Sequence, residues 1–149
     1  MITVQHDSFH MDQEYQRLLD ASSSPGAIVT FCGLVRDFSG GQAVTAIELE
    51  HYPGMTEKVL QKIVDEARDR WELDQVRIIH RVGKLAANEP IVFVGVSSSH
   101  RAAAFSACEF IMDFLKTQAP FWKKEFTPDG SYWVEAKESD ESAAQRWKD

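Results

Sequence analysis

The chain has 149 residues, 44% of them hydrophobic and 26% charged, with a formal net charge of -7 at pH 7. That length suits one compact domain spanning 1–149, able to bury roughly two-thirds of its unfolded surface without a disulfide or structural metal. The acidic balance argues against a nonspecific nucleic-acid binder, which needs clustered Lys and Arg, and no apolar run approaches the ~18 residues of a membrane span.

The segment Met1 to Asp7 has neither a basic n-region nor an apolar h-region, so a cytoplasmic protein is expected. Ile2 to Val4 reads as a first strand and Met11 to Leu19 as a short helix. Ser22 to Gly26 is a turn rich in breakers. Ala27 to Val35 (AIVTFCGLV) is β-branched and aromatic, which predicts a buried strand. Arg36 to Gln42 contains Gly40-Gly41 and reads as a mobile loop. Val44 to Tyr52 predicts a further strand.

Pro53-Gly54 breaks the chain, and Thr56 is positioned to cap the next helix. That helix carries Val59, Leu60, Ile63, Val64, Ala67 and Trp71 as one apolar stripe. Val76 to Val82 has period two, Asn88 to Pro90 is a turn, and Ile91 to Val96 is a continuous apolar strand. Ser97-Ser98-Ser99 offers caps for a long helix from about His100 to Thr117, with Phe105, Cys108, Met112 and Leu115 on its apolar face. Ala119-Pro120 ends it. Phe121 to Phe126 and Tyr132 to Val134 flank Thr127-Pro128-Asp129-Gly130 as a hairpin. Ser139-Asp140-Glu141 is expected to cap a last short helix. The order β-α-β-β-α-β-β-α-β-β-α predicts an α+β domain, with a mainly antiparallel sheet and helices packed on it.

The two cysteines, Cys32 and Cys108, have no metal-ligand spacing and read as buried thiols packed like small hydrophobes. The five histidines show no metal-like spacing either, and no nucleotide-binding, zinc-protease or serine-hydrolase motif appears. No metal or cofactor is expected.

The remaining chemical signal is a set of cations at element ends. His100 and Arg101 follow Val96-Ser97-Ser98-Ser99 at a helix start, where free N–H groups attract anions; a capped start with two solvated side chains explains them equally. Lys116 lies in the last turn of that helix, beside Met112 and Leu115. A partly desolvated amine there would act as base or nucleophile, and a plain dipole-complementing Lys is the alternative. Lys123 points away from Trp122 and Lys124 if Phe121 to Phe126 is a strand, which a solvated strand face would also satisfy. Arg36 opens a Gly-containing loop and suits an anion clamp or a surface position. His51 and Tyr52 read as turn packing. Together these cations would suit a small anion such as a phosphate if the fold brings them to one place.

The segments VTFCGLVRD (29–37), LEHYPGMTEK (49–58), HRVGKL (80–85), FVGVSSSHRAAAFSACEFIMDFLKTQAPFWKKE (93–125) and TPDGSYWVEAKESD (127–140) resemble the MoaE-like large, catalytic subunits of molybdopterin synthase. The resemblance runs over nearly the whole chain and implies an α/β hammerhead-like fold. It also implies an activity: transfer of two sulfurs to cyclic pyranopterin monophosphate, giving the dithiolene of molybdopterin. The sulfur would come from the C-terminal Gly-Gly thiocarboxylate of a small ubiquitin-like subunit, on a homodimer of large subunits with one small subunit at each end.

By the resemblance Lys116 is the general base or covalent helper and Lys123 acts beside it. Arg36, His100 and Arg101 hold the pterin phosphate, the latter two across the dimer interface, and Phe31 or Met112 lines the pocket. Lys137 stands where relatives often carry Arg and ranks below these, because Lys lacks the bidentate fork. A non-catalytic anion-binding or scaffold subunit on the same fold is the competing reading.

Overall fold

The computed structural model describes residues 1–134 and 138–148. In chain order the elements are β1 (Ile2–Gln5), α1 (Met11–Ala21), β2 (Ala27–Leu34), β3 (Phe38–Ser39), β4 (Gln42–Ala43), β5 (Ala46–His51) and α2 (Met55–Arg70). They continue with β6 (Val76–Arg81), β7 (Gly83–Ala86), β8 (Pro90–Ser98), α3 (Arg101–Gln118), β9 (Phe121–Thr127), β10 (Gly130–Val134) and α4 (Glu138–Gln145).

The strands form two four-stranded sheets, β1-β6-β8-β2 and β10-β9-β5-β7, with a two-stranded ladder β3-β4. β1 pairs with β6 in parallel and the other pairings are antiparallel. The expected α+β class and antiparallel bias therefore hold, with the strands divided between two sheets. β8 is central and alternates strictly. Val92, Val94 and Val96 pack under α2 and α3 with Leu60, Ile63, Phe110 and Ile111. Phe93 faces the other side, against Phe9 and Ile79. This is period-two burial between helical layers.

Five local expectations are corrected. β2 is an edge strand, so Phe31 and Leu34 are exposed instead of buried. The Arg36 to Gln42 loop contains the β3 strand and runs into the β3-β4 turn. α2 starts one residue before Thr56: Gly54 is its N-cap, and the Glu57 carboxylate accepts from the Gly54 N–H at 3.0 Å. Thr56 is instead fully buried inside the helix. Ser97 and Ser98 belong to β8, and His100 stands at the α3 cap with its N–H donating to Ser98 Oγ at 3.2 Å. Ser139, expected as a cap, lies within α4.

Gly26 shows how closely β2 meets β8. Its N–H donates to Ser98 O at 2.9 Å, and a Cβ built on it would stand 2.1 Å from Ser99 O. The obstacle is backbone, so the strands would have to part. Gly26→Ala is expected to cost about 3 kcal/mol, read as a lower urea midpoint.

Candidate active site

The C-terminal end of α3, the start of β9 and the end of β2 enclose a cavity of about 610 Å³. Ala119-Pro120 turns the chain from α3 into β9, and Phe121 N donates to Ala119 O at 2.9 Å. The Thr56 hydroxyl fixes this corner. It donates to Pro120 O at 3.0 Å and accepts from Tyr52 N at 3.0 Å. Lys116 and Lys123, one on each side of the corner, both line the cavity.

β9 sorts its side chains by alternation. Phe121, Lys123 and Glu125 face the cavity. Lys124 lies on the other face, with its ammonium over the Phe126 and Trp133 rings. The Lys123 Nζ is 3.7 Å from Glu125 Oε2, and Glu125 is buried. Arg36 also lines the cavity, and its neighbour Val35 is anchored on both sides. Val35 N donates to Glu89 O at 2.9 Å and Asn88 N to Val35 O at 2.7 Å. Phe31, Cys32, Leu34 and Met112 supply apolar wall, and Ser139 and Asp140 of α4 complete the lining.

Of the predicted site residues, the structure brings Arg36, Lys116 and Lys123 together. Lys116 lines the cavity and is exposed rather than partly buried. His100 and Arg101 are exposed at the start of α3. At 1.5 Å rise per residue, Arg101 stands roughly 22 Å along the helix from Lys116. They are outside the cavity of their own chain. Lys137 lies outside the described residues. Phe31 and Met112 line the cavity as expected. Tyr52 is 57% exposed and does not pack its turn.

Two wall residues escaped the sequence reading, Glu125 and His80. In the sequence His80 shows no metal-ligand spacing. The signal was its place at the inward position of Val76, Ile78, His80 on β6. His80 is buried, stacked on Phe121 at 3.9 Å with the rings 19° apart, and its Nδ1 lies 2.8 Å from Arg81 O. Burial pushes its pKa down to about 4, and the fields of Lys116 and His51 act the same way against the opposing Arg81 bond.

The thiols are poor nucleophiles. Burial and the Glu109 charge push Cys108 up to about 11, and burial also raises half-buried Cys32. Among the described residues no cluster of three His, Cys, Asp or Glu side chains could hold a metal, and no helix is long and apolar enough to cross a membrane.

The arrangement defines a class: an α+β protein with a cavity where two sheets meet, lined by Arg36, Lys116 and Lys123 beside the carboxylates of Glu125 and Asp140. Comparison with known proteins narrows it. The family model for the MoaE protein matches residues 4–118. The molybdopterin synthase catalytic subunit of Vibrio cholerae is 55% identical over 147 residues, covering 99% of this chain and 97% of that protein. A solved MoaE protein from Burkholderia ambifaria, a molybdopterin-biosynthesis protein, superposes with TM-score 0.84 at 51% identity, covering 99% and 97% of the two chains. A protein–protein complex of subunits 1 and 2 of the molybdopterin-converting factor from Helicobacter pylori shares the fold, with TM-score 0.73 at 18% identity and coverage of 92% and 90%. The chain belongs to the MoaE protein family.

Proposed function

We propose that this chain, working as one domain over 1–149 in the cytoplasm, is the catalytic subunit of a molybdopterin synthase. It transfers two sulfurs from the thiocarboxylated Gly-Gly terminus of a small ubiquitin-like subunit to cyclic pyranopterin monophosphate. The observation that carries this reading is the convergence of Arg36, Lys116 and Lys123 on one cavity in a protein of net charge -7. Phosphate and thiocarboxylate are both anions, and clustered cations at preset positions bind both.

The chemistry needs no thiol of this protein, in keeping with its two raised thiol pKa values. For each sulfur a separate thiocarboxylated terminus is used: its sulfur forms a bond to a pterin side-chain carbon while a carbon–oxygen bond at that carbon breaks, and the departing oxygen takes up a proton. Cleavage of the acyl carbon–sulfur bond by water then leaves sulfur on the pterin and a carboxylate on the partner. Lys116 is assigned the general-base or covalent role and Lys123 the place beside it. Arg36 clamps the phosphate, and Lys137 adds a weaker contact. His100 and Arg101 serve the cavity of the second protomer of a homodimer, because their own cavity is out of reach. With one small subunit at each end, the assembly is a heterotetramer. The shared cavity also favours catalysis over the scaffold reading, which gives the lysines no reason to meet.

A reconstitution tests the proposal. The purified protein is mixed with cyclic pyranopterin monophosphate and a small subunit ending in either thiocarboxylate or carboxylate. Dithiolene product, read by mass spectrometry, is expected with the thiocarboxylate alone. No product, from partner and substrate shown competent with another synthase, leaves the scaffold reading standing.

A further inference from the structure

We propose that Tyr132 is a positioning residue: its hydroxyl ties the β3–β4 hairpin to β10 and so sets where Arg36 stands relative to Lys123, a role that rests on the reading of their cavity as the sulfur-transfer site. The hairpin is an arm that leaves the core at Val35 and returns at Val44, both buried in one cluster with Ile47, Leu49 and Leu85. Arg36 at its root and Ser39 on β3 line the cavity.

Nothing in the arm itself fixes its direction. Among the described residues β3 and β4 pair with each other alone, Phe38 opposite Ala43 and Ser39 opposite Gln42. Gly40 and Gly41 at the tip have φ of 58° and 83°, the positive values that a two-residue hairpin turn takes. A Cβ on either would meet no atom within 4 Å, so the tip stands in the open. Val44 N donates to Asp37 O at 2.8 Å and closes the base. A two-stranded ladder this short is marginal without outside support.

Tyr132 supplies that support. Its hydroxyl donates to Gln42 Oε1 at 3.1 Å, across 90 residues of chain. The strand register puts Tyr132 opposite Glu125 and Val134 opposite Lys123. Residues directly opposite in an antiparallel pair project to the same face. Tyr132 therefore shares the face of β9 and β10 that carries Lys123, Glu125 and Val134, all three cavity-lining. By the same rule Gln42 shares a face with Ser39. The bond thus joins the strand pair that holds Lys123 to the arm that holds Arg36. Arg36 is the first residue beyond the Val35 anchor, so the direction in which the arm leaves that anchor decides where its guanidinium reaches. Both Tyr132 and Gln42 are exposed, and a solvated hydrogen bond contributes little to overall stability. Its effect falls on the arm.

The test is a double-mutant cycle in the reconstituted complex: wild type, Tyr132→Phe, Arg36→Ala and the two together. Phe keeps the ring and removes the hydroxyl alone. Affinity for cyclic pyranopterin monophosphate is measured by calorimetry with the carboxylate-terminated small subunit, so that no turnover occurs. Tyr132→Phe is expected to weaken binding about fivefold and to leave Tm unchanged. With the thiocarboxylate form and saturating substrate, its single-turnover rate should stay within about twofold of wild type. In the Arg36→Ala background the same substitution should add nothing, because the group it positions is gone. Gln42→Ala should match Tyr132→Phe, and combining the two should be no worse than either.

Amide exchange of residues 38–43 without substrate gives an independent reading and should quicken in Tyr132→Phe. Exchange or binding unmoved by Tyr132→Phe, or an equal loss of affinity with and without Arg36, overturns the proposal. So does an Arg36→Ala protein that binds as tightly as wild type. A wild type that makes no product, but whose substrate affinity follows the expected cycle, would remove the sulfur-transfer reading and leave the positioning intact.

Discussion

Lys116→Ala is expected to lower single-turnover sulfur transfer by about a thousandfold, with pterin binding reduced far less. The amine stands at the end of α3 on the wall of the cavity that also holds Arg36 and Lys123. Removing it deletes the group assigned to proton transfer or covalent help, and leaves the phosphate clamp in place. Lys116→Arg separates the possible roles. Guanidinium keeps the charge but cannot release a proton near neutral pH or form a covalent adduct. A variant as inactive as alanine places Lys116 in the chemistry. Recovery to within tenfold of wild type reduces its role to electrostatics and moves the chemistry to Lys123. Full activity of Lys116→Ala sinks the assignment outright.

The second large effect belongs to the far end of the same helix. Arg101→Ala should lower the rate roughly a hundredfold, as the loss of a charge-assisted contact to phosphate. A mixed dimer of one Lys116→Ala protomer and one Arg101→Ala protomer should nevertheless recover about half of wild-type activity. In a twofold dimer with crossed contributions, one cavity carries both defects and the other carries none. If each chain served its own cavity, both would be damaged and the mixed dimer would not exceed the activity of the Arg101→Ala variant. Differently tagged, co-expressed protomers purified through both tags give the measurement.

Much of the fold was legible because it rests on local pattern. The stripe from Leu60 to Ala67 and the alternation of Val92, Val94 and Val96 follow from helical and strand periods, and the observed core uses those side chains. What escaped was non-local. β7 is four residues beginning at a glycine of positive φ, Gly83, and exists because β5 pairs with it. β2 reads as buried from its composition, and only the strand order reveals it as an edge. Thr56 has the right chemistry for a cap, but Gly54 has the positive φ that the sharp entry requires.

The site divides in the same way. Lys123 could be placed from alternation along one strand. That Lys116, Lys123 and Arg36 meet depends on three chain segments brought together in space, which no local period encodes. His80 was overlooked because one histidine in an apolar run carries no signal until its ring is seen to form part of a wall.

The Thr56 hydroxyl reaches Pro120 from 64 residues away, and it joins the turn before α2 to the corner between the two lysines. The spacing of the lysines is therefore recorded partly in HYPGMT, far from the stretch that carries them. Transplanting residues 93–125 onto a foreign sheet would carry both amines across but lose the peg that sets their separation. The smallest transferable unit of this chemistry includes the α2 entrance, and a substitution at Thr56 would be felt as a change in reach between two groups that Thr56 itself never touches.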